Sequence, residues 1–131
     1  QALCRDSIDL GATHTTRDYT YVTDTVRGFI AVAESARTIG ETINIGSNYE
    51  IAIGDIARKV ASLLGREIEI RIDPARLRPR ESEVERLWCD NTRAREMLGW
   101  SPLMPLDTGL EETIKWIAGR TNLYKVGQYA V

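Results

Sequence analysis

The sequence predicts a mixed α/β fold, and three observations support this prediction. Short segments with alternating apolar side chains indicate strands, and longer segments with apolar side chains three and four residues apart indicate helices. Glycine or proline follows most of these segments, as is typical at element ends. The 131 residues, 43% hydrophobic and 27% charged, suffice for one domain with a real core. We therefore expect a single domain over residues 1–131 with the order β-β-α-β-α-β-loop-α-α.

Two strands and a helix are predicted first. The segment "SIDLG" (7–11) is a short strand that ends at Gly11, and "RDYTYV" (17–22) alternates in the same way. Thr23 or Asp24 is then placed to cap a helix. The face that this helix is expected to bury has the spacing i, i+3, i+4, i+7 and consists of Val26, Phe29, Ile30 and Ala33.

A strand, a helix and another strand follow. The segment "ETINIG" (41–46) is rich in β-branched residues and predicts a strand. A helix over residues 54–64 is expected to end at Gly65, because glycine accepts the left-handed conformation of a helix stop. "EIEIRI" (67–72) alternates strictly and is the clearest strand of the chain. The apolar side of the predicted helix consists of Ile56, Val60, Leu63 and Leu64.

A charged loop and two helices complete the prediction. Residues 74–86 lack periodicity and are expected to be irregular. Asp90 has the chemistry of an N-cap for a helix that stops at Gly99, and a last helix is predicted over 107–118. The tail "NLYKVGQYAV" (122–131) shows no clear pattern. The apolar positions of the two helices are Ala94, Met97, Leu98, Leu110, Ile114 and Ile117.

Charge and cysteine content limit the partners. With 17 basic and 19 acidic side chains the formal net charge is −2, which argues against a general nucleic-acid binder. No apolar run approaches the roughly 20 residues that span a bilayer, and no signal peptide is visible. Cys4 and Cys89 lack a metal or redox spacing, so we expect two reduced thiols in a cytoplasmic protein.

Catalytic and metal-binding patterns are missing from the sequence. The single histidine, His14, lies in a polar loop, and acid–base catalysis needs an oriented partner, so we expect it to be exposed. Neither a Ser-His-Asp order nor a cluster of metal ligands is present. We predict no catalytic residue and no metal site in this chain.

Arginines are the more informative residues. "RLRPRESEVER" (76–86) holds four arginines in eleven residues, and Arg17 begins a predicted strand. A guanidinium group offers a planar fork that suits phosphate oxygens. The alternative is that these arginines form ordinary surface ion pairs. In that alternative Arg17 pairs with Asp18 or Asp24, and Arg78 and Arg80 pair with Glu81 and Glu83.

Four segments resemble the C-terminal part of the extended short-chain dehydrogenases, the NAD-dependent nucleotide-sugar epimerases and 4,6-dehydratases. They are "TTRDYTYVTDTVRGF", "GETINIGS", "RPRESEVERLWCDNTRAREMLGW" and "LDTGLEETIKWI". The resemblance covers nearly the whole chain in the family's order, and it is strongest to bacterial 4,6-dehydratases of amino-sugar pathways. The ending "LYKVGQYAV" is similar to the natural end of that subgroup. The resemblance implies a C-terminal subdomain without the Rossmann half.

The resemblance implies two arginines for the diphosphate of a nucleotide sugar. The arginine of the family's Arg-Asp-aromatic strand corresponds to Arg17. Counting back from Glu83 and Asp90, the second arginine is best matched by Arg80, with Arg78 as the alternative. A diphosphate carries about two negative charges, and each charge-assisted contact contributes roughly 1.5–3 kcal/mol.

Further substrate contacts follow from the same resemblance. Glu83 is expected near the nucleotide ribose, and the loop at Leu10 and Gly11 near the base. Asp24 recurs in the family at a helix start, so its implied role is structural.

The family's catalytic parts are absent from this sequence. No two glycines are three residues apart, and no tyrosine is followed four residues later by a lysine, so neither the glycine-rich NAD turn nor the Tyr-x-x-x-Lys pair exists. We expect the chain to bind no cofactor itself, whereas the full-length family uses NAD or NADP, and to be inactive alone. The first residue is Gln1, which favours a trimmed or partial chain.

Three functions remain open at this stage. The chain is the substrate-binding portion of a lyase or isomerase acting on a GDP-, UDP- or dTDP-sugar, a stand-alone nucleotide-binding module, or a non-catalytic interaction domain. In the family the strand at 41–46 joins the NAD domain's sheet, and an unpaired strand edge tends to recruit another chain. We therefore expect a homodimer or a swapped assembly, with no nucleic-acid or membrane partner.

Overall fold

The computed structural model describes residues 1–125, and for Arg80 the backbone alone. Within this range it is a mixed α/β protein with five short strands and four α-helices, which confirms the predicted fold class. The described residues divide into two compact units. The first comprises residues 1–15, 52–84 and 110–125, and the second residues 16–51 and 85–109. The tail beyond residue 125, including most of "LYKVGQYAV", lies outside the described residues.

The first unit is built on a parallel strand pair and a helix. Strand β1 (Ser7–Leu10) pairs with β4 (Glu69–Ile72), with Ile8 opposite Ile70, and helix α2 spans Ile53–Leu63. All three elements were predicted, with bounds that differ by one or two residues. Apolar side chains of these elements and of the segments next to them form one core, which comprises Ala2, Ile8, Leu10, Ala57, Val60, Leu64, Ile68 and Ile70.

Helix α2 ends as its sequence predicts. Gly65 adopts the left-handed conformation at φ 62°, and the amide of Arg66 donates to the carbonyl oxygen of Ala61, as in a Schellman motif. One predicted core position was wrong, because Leu63 is on the exposed side of the helix. Alanines at 57 and 61 occupy the most buried positions instead.

The second unit contains a small sheet in which β2 (Thr16–Asp18) is central. β2 lies between β3 (Glu50–Ala52), whose last residue belongs to the first unit, and β5 (Arg86–Leu87). Strands β2 and β5 run parallel, with Arg17 opposite Leu87. Helices α1 (Val22–Glu34) and α3 (Thr92–Leu98) complete the unit, and Ala94 and Trp100 are its most buried apolar residues.

Two predictions about the start of α1 were wrong. The strand at 17–22 is shorter, because helix α1 already begins at Val22, and neither Thr23 nor Asp24 caps it. Tyr21 occupies the N-cap position without a side-chain hydrogen bond. Asp24 is the third residue of the helix, in its first turn, and is 2% exposed.

The face of α1 that was predicted to be buried is largely exposed. Phe29 is 68% exposed, and Val26 and Ile30 are each 50% exposed. The buried side of the helix is carried by Asp24 and Gly28 instead. Gly28 permits this packing, because a Cβ there would lie 2.6 Å from Cγ2 of Ile45. The amphipathic pattern was thus correct, but the structure leaves its apolar side uncovered.

The segment at 41–46 is not a strand in the structure. Its alternation is nevertheless visible, because Ile43 and Ile45 are half-buried while Thr42 and Asn44 are exposed. A strand requires a hydrogen-bonded neighbour in addition to the pattern. The strands at β3 and β5 were not predicted, since two or three residues are too few to show a period.

The end of the described chain follows the prediction except at one helix cap. α3 stops at Gly99, whose φ is 61°, as predicted. The N-cap of α3 is Asn91 and not Asp90, although Asp90 accepts a hydrogen bond of 2.9 Å from the amide of Thr92 in the first turn. Helix α4 spans Leu106–Ala118, one residue longer than predicted. Within residues 1–125 no helix combines the length and hydropathy that crossing a bilayer requires.

Candidate functional site

Arg17 lies in the middle of β2. Its Nη1 donates a hydrogen bond of 2.7 Å to the carbonyl oxygen of Thr16, and the residue is half-buried. Burial raises the pKa of the nearby Tyr19 phenol, and the positive charge of Arg17 opposes this effect. The arginine that was expected to contact a diphosphate is therefore held next to the backbone of a central strand.

A carboxylate on β3 connects the strands on both sides of Arg17. Glu50 accepts a hydrogen bond of 2.7 Å from Oγ1 of Thr16 and two of 2.8 Å from Nε of Arg86. Thr16 and Arg86 are register partners on β2 and β5. The hydrogen bonds from Arg86 and Thr16 hold the pKa of the Glu50 carboxyl below its usual range. This network fixes the strands around Arg17 at neutral pH.

A second carboxylate belongs to Asp18, the residue that follows Arg17. The Asp18 cluster consists of Asp18, Ser47, Asn48 and Cys89. Oδ1 of Asp18 accepts from the amide and the hydroxyl of Ser47 at 2.8 and 2.6 Å. Oδ2 accepts from the amides of Asn48 and Cys89 at 2.9 and 3.3 Å. The cluster joins β2 to the loop after residue 46 and to the exit of β5.

A cavity of about 450 Å³ opens beside the Asp18 cluster, within the second unit. Burial raises the pKa of the Cys89 thiol on its wall, and Asp18 and Asp90 add to the effect, so this thiol is protonated at neutral pH and is a poor nucleophile. The remainder of the wall is mainly apolar and includes Phe29 and Trp88. The polar side chains of the lining are Asp18, Thr20, Thr25, Asn44 and Cys89.

Leu10 and Gly11 end β1 in the first unit. Leu10 packs on the core with its side chain half-buried. Gly11 runs against the carbonyl oxygen of Arg76, which a Cβ at position 11 would overlap. Arg76 is itself paired with Asp73 at 3.0 Å. The loop expected to meet the base is therefore backed by the beginning of the arginine-rich segment.

The other predicted contacts lie further along that segment, also in the first unit. Arg78 is exposed and Glu83 is half-buried. Arg80 begins a single 3-10 turn, Arg80–Ser82, and its side chain lies outside the described part of the structure. Leu10, Gly11, Arg78, Arg80 and Glu83 thus belong to one unit, and Arg17 belongs to the other.

The described residues do not fit an NAD site. A dinucleotide's pyrophosphate needs free amides at a glycine-rich helix start. At the start of α2 the amides of Ile53 and Gly54 already donate to the carbonyl oxygens of Thr15 and Thr13, at 3.0 and 2.9 Å. Helix α1 is preceded by Tyr21, a bulky residue. The chemistry of a nicotinamide therefore has no binding residues here.

Three residues that were considered for other chemistry, His14, Cys4 and Cys89, lie within residues 1–125. His14 is exposed, as predicted. Among the described residues no group of three or more His, Cys, Asp or Glu side chains is arranged to hold a metal ion. Cys4 and Cys89 are both free thiols.

Sequence reasoning missed the residues that organise the strand of Arg17. Asp18 was considered as an ion-pair partner of Arg17, but its carboxylate receives four hydrogen bonds from residues 29 to 71 positions away. Glu50 was not considered, although Thr16 and Arg86 both donate to it. The arginine beside an aspartate was the only local signal, and it did not reveal these distant partners.

Comparisons with known proteins agree on one family. The family model for GDP-mannose 4,6 dehydratase matches residues 2–113. The UDP-glucose 4-epimerase of Mycolicibacterium smegmatis is 32% identical over 106 residues, which cover 81% of this chain and 32% of that protein. The dTDP-4-dehydro-6-deoxy-D-allose reductase of Streptomyces bikiniensis is 35% identical over 106 residues, covering 81% of this chain and 30% of that protein.

Solved structures show the same relationship. An epimerase of Methanothermobacter thermautotrophicus superposes with a TM-score of 0.83 at 28% identity, covering 93% of this chain and 36% of that one. The UDP-glucuronic acid 4-epimerase of Bacillus cereus, in complex with UDP-glucuronic acid and NAD, gives 0.73 at 32% identity, covering 90% and 35%. The chain spans about a quarter to a third of the length of the curated relatives it matches.

Proposed function

The chain belongs to the family of NAD-dependent nucleotide-sugar epimerases and dehydratases, and from this premise we propose that it forms the nucleotide-sugar-binding portion of such an enzyme. The observation that carries the proposal is the family match over residues 2–113, which includes both predicted phosphate arginines. The B. cereus epimerase, a similar protein, is solved with UDP-glucuronic acid and NAD. The substrate class that we propose is accordingly a nucleoside diphosphate sugar linked to UDP, GDP or dTDP.

In this proposal Arg17 and Arg80 bind the diphosphate, with Arg78 as the alternative to Arg80. A guanidinium group donates two parallel hydrogen bonds to phosphate oxygens and neutralises their charge. Glu83 contacts the ribose, and Leu10 and Gly11 contact the base. The placement of Arg17 on a strand fixed from both sides supports its part in this assignment, because a fixed guanidinium loses less entropy on binding.

We propose that the chain alone is inactive and that the NAD-binding half of the enzyme supplies the catalysis. The sequence contains no Tyr-x-x-x-Lys pair and no glycine-rich turn, and the starts of α1 and α2 do not fit a dinucleotide. The hydride and proton steps of an epimerase or dehydratase therefore need residues outside this chain. We place the protein in the cytoplasm, with both cysteines reduced.

The exposed side of α1 supports the expectation that this piece self-associates. Val22, Val26, Phe29 and Ile30 lie on the same side of the helix and are each at least half exposed. Apolar surface of this kind is typical of an interface. We expect a dimer or a swapped assembly, and light scattering that shows a clean monomer at high micromolar concentration would contradict it.

The proposal is tested by calorimetric titration of the chain with GDP, UDP and dTDP. We expect saturable binding of at least one nucleotide, weakened about tenfold by Arg17→Ala and by Arg80→Ala. Arg37→Ala, an exposed arginine in a 3-10 turn of the second unit, is the control and should bind as the wild type does. Turnover of a nucleotide sugar should appear only when an NAD-binding half is added.

Two alternatives give different results in the same experiment. A stand-alone nucleotide-binding module would bind its nucleotide with micromolar affinity and would gain nothing from an added NAD-binding half. A non-catalytic interaction domain would not bind nucleotide at millimolar concentration, and its arginine variants would differ from the wild type in stability alone. Either result would exclude the proposed function.

A further inference from the structure

Asp18, the acidic neighbour of Arg17, holds β2 through its carboxylate. In a strand, adjacent side chains point to opposite faces, so the side chains of Arg17 and Asp18 leave β2 on opposite sides. Both oxygens of the Asp18 carboxylate accept two hydrogen bonds each, within the Asp18 cluster defined above. The four acceptor positions of the carboxylate are therefore filled by these donors.

The loop that supplies three of these donors has the geometry of an anion site. The amides of Ser47 and Asn48 are consecutive and both point at the carboxylate, and Asn48 has a positive φ of 61°. Consecutive amides next to a left-handed residue form a nest that binds anions. In this protein the anion is the side chain of Asp18. The nest therefore holds β2 through that side chain and does not hold an external ligand.

The donors of the Asp18 cluster come from two separate parts of the second unit. Ser47 and Asn48 precede β3. Cys89 is the second residue after β5, and Trp88 lies between them. β2 is therefore attached at Asp18 to the segments that flank both neighbouring strands. A shift of β2 along its axis would break all four hydrogen bonds together.

We propose that Asp18 is a positioning residue for Arg17, whose carboxylate fixes the register of β2 so that the guanidinium is held in one place for a diphosphate. This inference rests on the proposed function, in which Arg17 contacts the phosphates. Asp18 does not touch the substrate, because its oxygens are occupied on the other side of the strand. Its effect on affinity passes through Arg17 alone.

A double-mutant cycle tests this dependence. The affinity for UDP is measured by calorimetry for the wild type, Asp18→Asn, Arg17→Ala and the double variant. We expect Asp18→Asn to weaken UDP binding about tenfold in the wild-type background, because an amide nitrogen would face two donor amides. In the Arg17→Ala background the same change should alter affinity by less than about twofold. Equal losses in both backgrounds would overturn the proposal.

Asp24→Asn is the matched control for a general loss of stability. Asp24 is also an aspartate that accepts hydrogen bonds from backbone amides of the second unit, at Leu103 and Met104. Its substitution should lower the urea midpoint and leave UDP affinity unchanged. If Asp24→Asn weakens UDP binding as much as Asp18→Asn does, Asp18 is a structural residue without a special relation to Arg17.

A second readout does not depend on nucleotide binding. If the wild type binds none of UDP, GDP and dTDP, the proposed function fails for this chain, but the placement of Arg17 can still be measured by NMR. We expect Asp18→Asn to shift and broaden the Nε–Hε resonance of Arg17, and Asp24→Asn to leave it in place. An Arg17 resonance that is the same in the wild type and in Asp18→Asn would overturn the positioning role.

Discussion

Replacing Asp24 by alanine should cost the protein about 3–6 kcal/mol of unfolding free energy. Its carboxylate is 2% exposed and accepts hydrogen bonds from the amides of Leu103 and Met104, at 3.0 and 2.8 Å. Each bond to a charged acceptor contributes roughly 1.5–3 kcal/mol, and removing the acceptor leaves both donors unpaired. Arg27, the third donor, is 42% exposed and will be rehydrated, so its loss adds little.

The helix α2 supplies a closely matched control. Asp55 occupies the same third position of its helix as Asp24 and has the same i,i+3 arginine partner at the same distance of 2.6 Å, but it is 51% exposed. Asp55→Ala should therefore cost less than about 1 kcal/mol. The ion-pair geometry is the same at the two positions. The two variants therefore differ in the burial of the carboxylate and in the backbone amides that lose their acceptor.

The assay is urea unfolding followed by tryptophan fluorescence, with Trp100 buried beside Asp24 as the reporter. The midpoint of Asp24→Ala should fall while the slope m stays unchanged, since the surface exposed on unfolding is the same. Asp24→Asn should lose only about 1 kcal/mol, because its carbonyl oxygen still accepts from the loop amides. Equal losses for Asp24→Ala and Asp55→Ala would refute the reasoning.

Three further predictions concern other parts of the molecule. Because hydrogen bonds depress the pKa of Glu50, its stabilising contribution is complete above the unfolded carboxyl pKa of about 4.3 and is lost as the pH falls through the lower folded-state value. The difference in urea midpoint between the wild type and Glu50→Gln should thus be present at pH 7 and shrink toward pH 3. Gly46→Ala should cost about 1–3 kcal/mol, since the added methyl overlaps the side chain of Cys89, whereas Gly119→Ala, with no neighbour closer than 3.9 Å, should change stability by less than about 0.5 kcal/mol. Phe29→Ser should weaken self-association about tenfold in analytical ultracentrifugation, and an unchanged dimer constant would place the contact elsewhere.

Elements with a complete local pattern were predictable. α2 and α4 each show an apolar stripe over about two turns, and Gly65 and Gly99 mark helix ends with the expected positive φ. β4 alternates over its length and pairs with β1, and its Ile70 packs on the core, whereas Ile72 at the end of the strand is exposed. In these segments the neighbours along the chain decide the structure.

Elements whose structure depends on a partner were not predictable. The segment 41–46 has the composition of a strand but does not form one in the structure. The apolar stripe of α1 predicts a face that packs against something, but it does not identify the residues that would cover this face. β5 consists of two residues, which cannot show a period. In each case the contact that decides the structure is made with residues that are too distant in the sequence to appear in a local pattern.

The candidate site was predictable only in part. The adjacency of Arg17 and Asp18 and the arginines of 76–86 drew attention to segments that lie within the family match over residues 2–113. The hydrogen bonds that hold β2 join residues 29, 34 and 71 positions apart, and no spacing rule reports such contacts. The side chains that position Arg17 could therefore be found only from the folded structure.

The uncovered side of α1 has a consequence for the recognition of this protein by the cell's chaperones and proteases. Chaperones and proteases recognise unfinished proteins by exposed apolar side chains, and Phe29 at 68% exposure presents such a signal on a folded helix. Whatever covers that side removes the signal and adds its binding free energy to the stability of the fold. We therefore expect variants in which this side can no longer be covered to be less abundant in cells than the wild type.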